Sequence, residues 1–263
     1  MASEIHPTAV VEDGAVLGRN VRIGAFAMVG REVVLEDDVI LHRHAVVEGR
    51  TKIGAGTEIF PFAVLGGAPQ DLSYRGEDTA VEIGPNCIIR EHATIHRGTA
   101  RGHGLTKIGA RCFLMIGAHV AHDCEVGDNV ILVNNVSLGG HSKVGDFAIF
   151  SGTSGTQQWA RVGAHAFIGA LTVVVTDVIP FATALGNRAE LAGLNIIGLK
   201  RRGFDRPTIH SLRNAYQEIF KGAGSLAKRV DEVAEKYAEI PAVMEIVNFI
   251  RAGGDRPLCT PRD

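Results

Sequence analysis

The chain has 263 residues, a formal net charge of -2 and a hydrophobic fraction of 46%. This length allows one large unit or two smaller ones, and the near-neutral charge argues against nucleic acid as the main partner. The N-terminus lacks the apolar segment of a secretion signal, and no apolar run approaches the length of a membrane span. We therefore expect a soluble, cytoplasmic protein with no integral membrane segment.

An aliphatic residue recurs at every sixth position through most of the chain up to Val174. The first series is Ile5, Val11, Leu17, Ile23, Val29, Leu35, Leu41, Val47, Ile53, Ile59 and Leu65. A second series runs from Ile108 to Val174, with Thr156 as its only clearly polar member, and small or β-branched residues stand four places after each member. So short a period is typical of a β-helix, because six residues suffice for one short strand and a corner.

Because strand side chains alternate between faces, the aliphatic and the small positions can both point into one tube. Three hexads form a triangular coil of about eighteen residues, and about nine coils stack into a prism on the order of 43 Å tall. The pattern thus predicts an all-β solenoid, a parallel β-helix. It does not fix the handedness, since the usual rule for parallel crossovers is right-handed.

The four cysteines fit this arrangement. Cys87, Cys112 and Cys124 fall in the inward column of small residues, which indicates buried thiols rather than disulfides or metal ligands. Cys259 is expected to be a free thiol near a frayed end.

Two segments interrupt the hexads, at about 66–80 (GGAPQDLSYRGEDTA) and 98–106 (GTARGHGLT). The second one is an insertion, because thirteen residues rather than twelve separate Ile95 from Ile108. A solenoid carries its insertions as loops on one face, often the binding face. We therefore expect function to lie beside these loops.

The hexads stop after Pro180. The stretch FATALGNRAELAGLNIIGLKRRGFDR is interpreted as a connection that contains a basic run. Helical spacing then predicts helices over 207–221 with Asp205 as its cap, from Ser225 to about 238, and over about 242–251. The predicted division is a β-helix over 1–187, and a connecting segment with a small helical domain over 188–263.

Histidines cluster in one part of the solenoid. Counting by eighteen residues places His122, Gly140 and Gln158 in one column. His141 is one step from that column, His119 lies across the corner, and the 98–106 loop is inserted about one coil below. This cluster predicts a cleft.

Three interpretations of the histidines remain open. They are exposed corner residues without a chemical role, or ligands of a zinc ion with an open position for water, or a general base that takes a proton from an attacking hydroxyl. The flanking glycines favour the last, because an unobstructed backbone N–H can stabilise an oxyanion. The spacing fits zinc poorly, and we predict no metal.

Several segments together resemble the UDP-N-acetylglucosamine acyltransferases: the hexads, GGAPQDLSY, IHRGT, AHVAHDCEVGD, NIIGLKRRGF and RNAY. The resemblance covers essentially the whole chain. It implies a left-handed parallel β-helix and a homotrimer with active sites between neighbouring prisms. It also implies transfer of an (R)-3-hydroxyacyl group from acyl carrier protein to the glucosamine 3-hydroxyl of UDP-N-acetylglucosamine, the first step of lipid A synthesis.

The same resemblance implies roles for individual residues. His122 matches the general base, and Gly140 matches the N–H that stabilises the oxyanion. Asp123 is a third catalytic candidate, although neighbours on a strand usually face opposite ways. Substrate contacts are implied for Gln70, Asp71, His119, His141, Gln158, Asn195, Arg201 and Arg202, and Ala170 matches a position that measures acyl-chain length. No cofactor is expected, because the phosphopantetheine thioester of the carrier protein supplies the acyl group.

Two positions depart from the family's pattern. Ile197 stands where an acidic nucleotide contact is usual, and Gln157 stands where many members have histidine. The carrier protein is acidic, so a basic patch is expected near the cleft, with Arg188 and Lys200 as candidates. The alternatives are a relative that acylates a UDP-3-amino sugar, an acetyl-CoA dependent sugar acetyltransferase, an N-acyltransferase of the same pathway and a non-enzymatic scaffold. The N-acyltransferase would normally have an N-terminal nucleotide-binding domain before its β-helix, and hexads that begin at Ile5 leave no room for one.

Overall fold

The computed structural model describes residues 3–262. Its strands are β1 (Glu4–Ile5), β2 (Val10–Val11), β3 (Val16–Leu17), β4 (Arg22–Ile23), β5 (Met28–Val29), β6 (Val34–Leu35), β7 (Ile40–Leu41), β8 (Val46–Val47), β9 (Arg50–Ile53), β10 (Glu58–Ile59), β11 (Val64–Gly67), β12 (Ala80–Ile83), β13 (Ile88–Ile89), β14 (Thr94–His96), β15 (Leu105–Ile108), β16 (Phe113–Leu114), β17 (His119–Val120), β18 (Glu125–Val126), β19 (Ile131–Leu132), β20 (Ser137–Leu138), β21 (Lys143–Val144), β22 (Ile149–Phe150), β23 (Gly155–Thr156), β24 (Arg161–Val162), β25 (Phe167–Ile168), β26 (Val173–Val174), β27 (Ala182–Leu185) and β28 (Glu190–Leu194). Its helices are α1 (Ile196–Arg201), α2 (Arg206–Lys221), α3 (Leu226–Lys236) and α4 (Pro241–Ala252). None of the helices in this part of the chain is long and apolar enough to cross a membrane.

The strands form three sheets, parallel except for the pair β27–β28, which are the faces of a triangular prism. Face 1 begins β1-β4-β7, face 2 begins β2-β5-β8, and face 3 contains β3, β6 and β9. Paired residues in regular coils are eighteen positions apart, as in Ile5 with Ile23 and Ile23 with Leu41. The predicted parallel β-helix with three strands per coil is confirmed.

The aliphatic and the small columns fill the interior of the prism. Leu41, Ile59 and Leu114 are at most 1% exposed, and so are the small residues Ala63 and Ala118. Burial of one such large aliphatic side chain stabilises the fold by about 1.5–3 kcal/mol. The cysteines of the inward column are buried free thiols, as predicted.

Both insertions leave the prism at the same edge. The chain departs from face 2 after β11 and after β14, and it returns on face 3 at β12 and at β15. Ile83 pairs with Ile53, thirty positions before it, and Val120 pairs with Ile95, twenty-five positions before it. These two coils are therefore longer than the regular eighteen residues, and the extra residues form the loops.

The C-terminal part contains more regular structure than the sequence suggested. The presumed connection forms the antiparallel pair β27 and β28, followed by the short helix α1. The three predicted helices are confirmed, and Asp205 caps α2 by accepting from the Thr208 N–H at 2.8 Å.

The expectation of a frayed end around Cys259 is wrong. Cys259 is 2% exposed. Its N–H donates to the carbonyl of Asp177, and the neighbouring Leu258 forms a β-bridge with Asp177. The last residues of the described chain therefore pack against the top of the prism.

Candidate active site

Most corners of the prism are two-residue turns in which the second residue has a positive φ. At the edge between faces 2 and 3, three successive coils supply Asp123 (φ 58), His141 (φ 61) and Trp159 (φ 68) at this place. The preceding places hold His122, Gly140 and Gln158, the column that the eighteen-residue count predicted. Two columns of chemically active residues thus run side by side, next to both loops.

His122 and Asp123 contact each other directly. Nδ1 of His122 lies 2.9 Å from Oδ2 of Asp123, and the two residues are 6% and 1% exposed. The expectation that they face opposite ways is wrong, because they occupy a turn rather than a strand. The positive φ of Asp123 folds its carboxylate back beside the imidazole.

The 98–106 loop encloses the carboxylate of Asp123. Thr99 donates to it from its backbone N–H and, at 2.7 Å, from Oγ1. The backbone N–H groups of His103 and Gly104 donate at 2.9 and 3.1 Å. Burial alone would raise the pKa of Asp123, but the hydrogen bonds from Thr99 and His122 outweigh burial and keep the pKa below its usual range. Asp123 is therefore an ionised, fixed partner for His122.

Gly140 leaves space for the imidazole of His122. A Cβ at Gly140 would lie 2.5 Å from Cε1 of that ring. At the equivalent turn places of another edge, the N–H groups of Ala110 and Asp128 point outward to a carboxylate of the next coil. The N–H of Gly140 has no hydrogen-bond partner among residues 3–262. It is a free donor beside the candidate base.

His141 belongs to the same cluster. Its ring stacks on the indole of Trp159 with the centroids 3.7 Å apart, and its edge meets His122 at 5.0 Å. Burial lowers the pKa of His141, and its Nδ1 is buried without a partner within the described chain. Neutral His141 can therefore either donate to or accept from a ligand in the cleft.

Two further histidines lie on face 2 beside this corner. The Nδ1 atom of His119 is 2.7 Å from Oγ1 of Thr94, and its ring meets the edge of His96 at 4.9 Å. Burial, and then the neighbouring histidines, lower the pKa of His96 to about 4. Sequence reasoning missed His96, Thr99 and Trp159 as parts of the site, although IHRGT contains the first two.

The zinc alternative fits these side chains poorly. His103, Asp123 and His141 offer ligand atoms within 4.8 Å of one another. Both carboxylate oxygens of Asp123, however, already accept hydrogen bonds from the loop and from His122. An ion would have to displace those donors.

The 66–80 loop brings Asp71 to the same corner. Its carboxylate accepts from the N–H and Oγ of Ser73 at 2.7 and 2.8 Å. These hydrogen bonds lower the pKa of Asp71, and His122 and Arg101 lower it further. Gln70 is exposed on this loop.

The remaining candidates lie on the other two edges. Arg202 and Asn195 are at the edge between faces 3 and 1, where Arg202 Nη2 donates to the Phe147 carbonyl at 2.7 Å. Asn195 caps α1 through Gly198 N–H and donates to the His165 carbonyl. Arg201 and Ile197 of α1 are exposed, and so is Gln157, which directly precedes Gln158 at the corner of His122. Ala170 lies between β25 and β26, at the edge between faces 1 and 2. A single chain therefore does not bring Asn195, Arg201, Arg202 or Ala170 to His122.

Family models match two parts of the chain: the bacterial transferase hexapeptide (six repeats) matches 105–140, and Udp N-acetylglucosamine O-acyltransferase, Domain 2, matches 177–259. An acyl-[acyl-carrier-protein]--UDP-N-acetylglucosamine O-acyltransferase of Sinorhizobium fredii is 48% identical over 260 residues, which are 99% of this chain and 96% of that protein.

Solved structures agree with these matches. LpxA from Acinetobacter baumannii is 39% identical with a TM-score of 0.94, and the match covers 97% of this chain and 99% of that one. The UDP-N-acetylglucosamine acyltransferase from Campylobacter jejuni is 37% identical with a TM-score of 0.93, covering 98% and 100%. The β-helix is left-handed, as the resemblance implied. With this identity over nearly the whole length, the chain belongs to the UDP-N-acetylglucosamine O-acyltransferase family.

Proposed function

We propose that this enzyme transfers an (R)-3-hydroxyacyl group from acyl carrier protein to the 3-hydroxyl of UDP-N-acetylglucosamine, the first step of lipid A biosynthesis. The observation that carries the proposal is the buried His122–Asp123 pair beside the free N–H of Gly140. Relatives named for this reaction match over nearly the full length. The donor's phosphopantetheine thioester supplies the activation, so the proposed reaction needs no other cofactor.

The hydrogen bond to Asp123 decides which nitrogen of His122 is basic. An ionised carboxylate only accepts, so Nδ1 carries the proton and Nε2 has a free lone pair. Nε2 removes the proton of the sugar 3-hydroxyl as its oxygen attacks the thioester carbon. The N–H of Gly140 stabilises the oxyanion. The C–S bond then breaks, the thiolate takes the proton from the imidazolium, and Asp123 stays ionised throughout.

The other polar groups of this corner bind the acceptor. Asp71 and Gln70 lie on the 66–80 loop, and we assign them to the hydroxyls of the glucosamine. His119 and His141 are held neutral by burial, which lowers the pKa of both. Neutral imidazoles suit sugar and amide groups, because each ring offers one donor and one acceptor. Gln158, exposed one coil above Gly140, is assigned to the pantetheine or diphosphate region.

The outward side chains support a homotrimer. Five successive coils of face 1 present Ile88, Phe113, Ile131, Ile149 and Phe167, and face 2 presents Val10, Met28, Val46 and Val64. Face 3 presents charged residues such as Glu125 and Lys143, which pair at 2.9 Å. Contiguous apolar surfaces mark interaction sites, so these parts of faces 1 and 2 are the proposed interfaces, whereas face 3 presents paired charges and, at Arg161, packs against Phe249 of α4.

This packing explains why the site residues are scattered in one chain. In a closed threefold ring, face 1 of one copy packs on face 2 of the next. The edge with Arg202 then comes beside the neighbouring copy's edge with His122. We therefore propose that each active site takes residues from two chains, with the sugar on one edge and the diphosphate on the other.

The diphosphate end is assigned to Arg201 and Arg202. Arg201 is exposed, and Nη1 of Arg202 is buried without a partner within the described chain. A guanidinium fork matches phosphate oxygens. Asn195 caps α1, the helix that ends at these arginines, and we assign its own substrate contact to the uridine side. Ile197 is 68% exposed and replaces an acidic contact, so recognition of the nucleotide rests more on the arginines.

The acyl chain is assigned to face 2, which lies between the edge with Gly140 and the edge with Ala170. A straight route between these two edges crosses face 2 at Ser137 and Gly155, whose side chains are among the smallest that this face presents. Ala170 would then limit the chain length. Alanine at this place fits a medium to long chain.

The carrier protein is acidic, and its proposed docking surface is the basic end of α1. Lys200 lies in the last turn of this helix, and it is exposed together with Arg188. Complementary charge increases the rate of association more than the affinity. The cysteines of the described chain are all free thiols, which fits a reducing compartment, and we propose the cytoplasm.

Incubation with UDP-N-acetylglucosamine and a panel of 3-hydroxyacyl carrier proteins tests the function. An ester at the sugar 3-position is expected. Absence of transfer for every chain length would overturn the proposal. A UDP-sugar with a 3-amino group, offered in competition, separates the amide-forming alternative, and acetyl-CoA separates the acetyltransferase alternative.

A further inference from the structure

The 66–80 loop is held by an arginine outside it. Arg97 follows β14, immediately before the second insertion. Its backbone N–H donates to the Gly67 carbonyl at 3.0 Å, and its Nη2 donates to the phenolic oxygen of Tyr74 at 3.1 Å. One residue thus contacts both the beginning and the middle of the loop.

Tyr74 ties the two halves of the loop together. Its hydroxyl donates to the Glu77 carbonyl at 3.0 Å while it accepts from Arg97. Its backbone N–H donates to the carbonyl of Asp71 at 3.1 Å. The phenolic oxygen is therefore the point at which the segments before and after Gly76 are joined to the prism.

The coil that ends at β8, directly below the coil that carries the 66–80 loop, leaves space for this contact. Gly49 has a φ of 58, and a Cβ there would collide with the guanidinium of Arg97. A side chain at this place would push Arg97 away from Tyr74. Gly49 thus gives the arginine its path across the edge of the prism.

The segment that begins at Arg97 also reaches the base. Thr99, two residues on, donates to Asp123, which holds His122. His122 and Arg101 are among the groups that lower the pKa of Asp71 on the 66–80 loop. The two loops therefore meet the candidate base through one short stretch of chain.

We propose that Arg97 and Tyr74 are positioning residues that fix the 66–80 loop, and with it Gln70 and Asp71, in the arrangement that binds the acceptor sugar. This inference rests on the proposed function, because it assigns the loop to UDP-N-acetylglucosamine. A loop that is ordered before binding saves the ordering cost when the ligand arrives. The contact should therefore affect acceptor binding and leave the chemical step unchanged.

Tyr74→Phe removes only the hydroxyl. We expect the KM for UDP-N-acetylglucosamine to rise about five- to tenfold, with kcat within about twofold of wild type and an unchanged KM for the acyl carrier protein. Arg97→Ala should also raise the KM for UDP-N-acetylglucosamine. Arg97→Lys keeps the positive charge and should raise this KM less than Arg97→Ala does. The matched control is Tyr237→Phe, which loses a hydroxyl bonded to Glu218 at 2.9 Å in the helical domain. It should leave both KM values unchanged.

Equal kinetics for the two Tyr→Phe variants would overturn the proposal, as would a uniform loss of kcat and of both affinities together with a lower Tm. If the wild-type enzyme transfers no acyl group, the proposed function is rejected. Limited trypsin digestion then tests separately whether Tyr74 holds the 66–80 loop in place. Arg75 is exposed at the loop tip. Faster cleavage there in Tyr74→Phe supports the positioning role, and an unchanged rate contradicts it.

Discussion

Nδ1 of His122 lies 2.9 Å from Oδ2 of Asp123, and a turn rather than a strand brings the two residues together. The same carboxylate accepts hydrogen bonds from three residues of the 98–106 loop. The insertion therefore contacts the proposed base through Asp123, which it fixes and whose pKa its hydrogen bonds lower.

Replacement of Asp123 by asparagine should reduce kcat about 10²- to 10⁴-fold. The neutral amide lacks the negative charge of the carboxylate that accepts the hydrogen bond from Nδ1 of His122. Thr99→Val removes one donor to the same carboxylate and should give a smaller loss. The control is Asp177→Asn, a buried aspartate that pairs with Arg161 at 2.7 Å away from this corner. It should lower stability without a specific loss of kcat. A kcat of Asp123→Asn within about twofold of wild type would remove Asp123 from the mechanism.

Buried histidines should make stability depend on pH. Burial lowers the pKa of His96 from 6.5 to about 4, so the unfolded chain binds a proton first as the pH falls. Stability is therefore lost between about pH 6.5 and about pH 4, by at most about 3 kcal/mol for this group, and the loss levels off below the folded pKa. Denaturant unfolding of His96→Asn over this range should show a shallower slope than wild type. An unchanged slope would show that His96 does not carry the effect.

The chain-length assignment predicts the behaviour of Ala170→Met. A larger side chain at the end of the route should lower kcat/KM for long acyl donors at least about tenfold while it spares shorter ones. Ala192→Met, at an exposed alanine of β28, serves as the control. Competition among carrier proteins with different acyl chains gives the preference in one assay. If both variants prefer the same acyl-chain length, a residue other than Ala170 limits the chain length.

A site shared between chains predicts complementation. His122→Ala and Arg202→Ala change different edges of the prism, so each variant alone should be strongly impaired. Refolding the two variants together at equal amounts should leave about a quarter of the sites with both residues intact. Activity should recover by that fraction. Recovery should fail for a mixture of His122→Ala with Asp123→Asn, because both changes lie on one edge. No recovery in the first mixture would mean that Arg202 does not act with a neighbour's His122.

The period of six residues predicted the coil and the column of His122, Gly140 and Gln158, because side-chain alternation and coil length follow from the sequence. The contact of Asp123 with His122 could not be predicted this way, since it depends on the positive φ of one turn residue. The stretch 181–206 lacks a hexad or helical pattern, so the β27–β28 pair and α1 were missed. Their stability comes from tertiary partners, such as the His165 carbonyl that accepts from Asn195.

The most direct test of the central claim is the transfer rate of His122→Ala at saturating concentrations of both substrates. The mechanism predicts a fall in kcat of at least about 10²-fold with folding intact, and with UDP-N-acetylglucosamine still bound. A variant that forms the 3-O-acyl ester at close to the wild-type rate would contradict the role of His122 as the base.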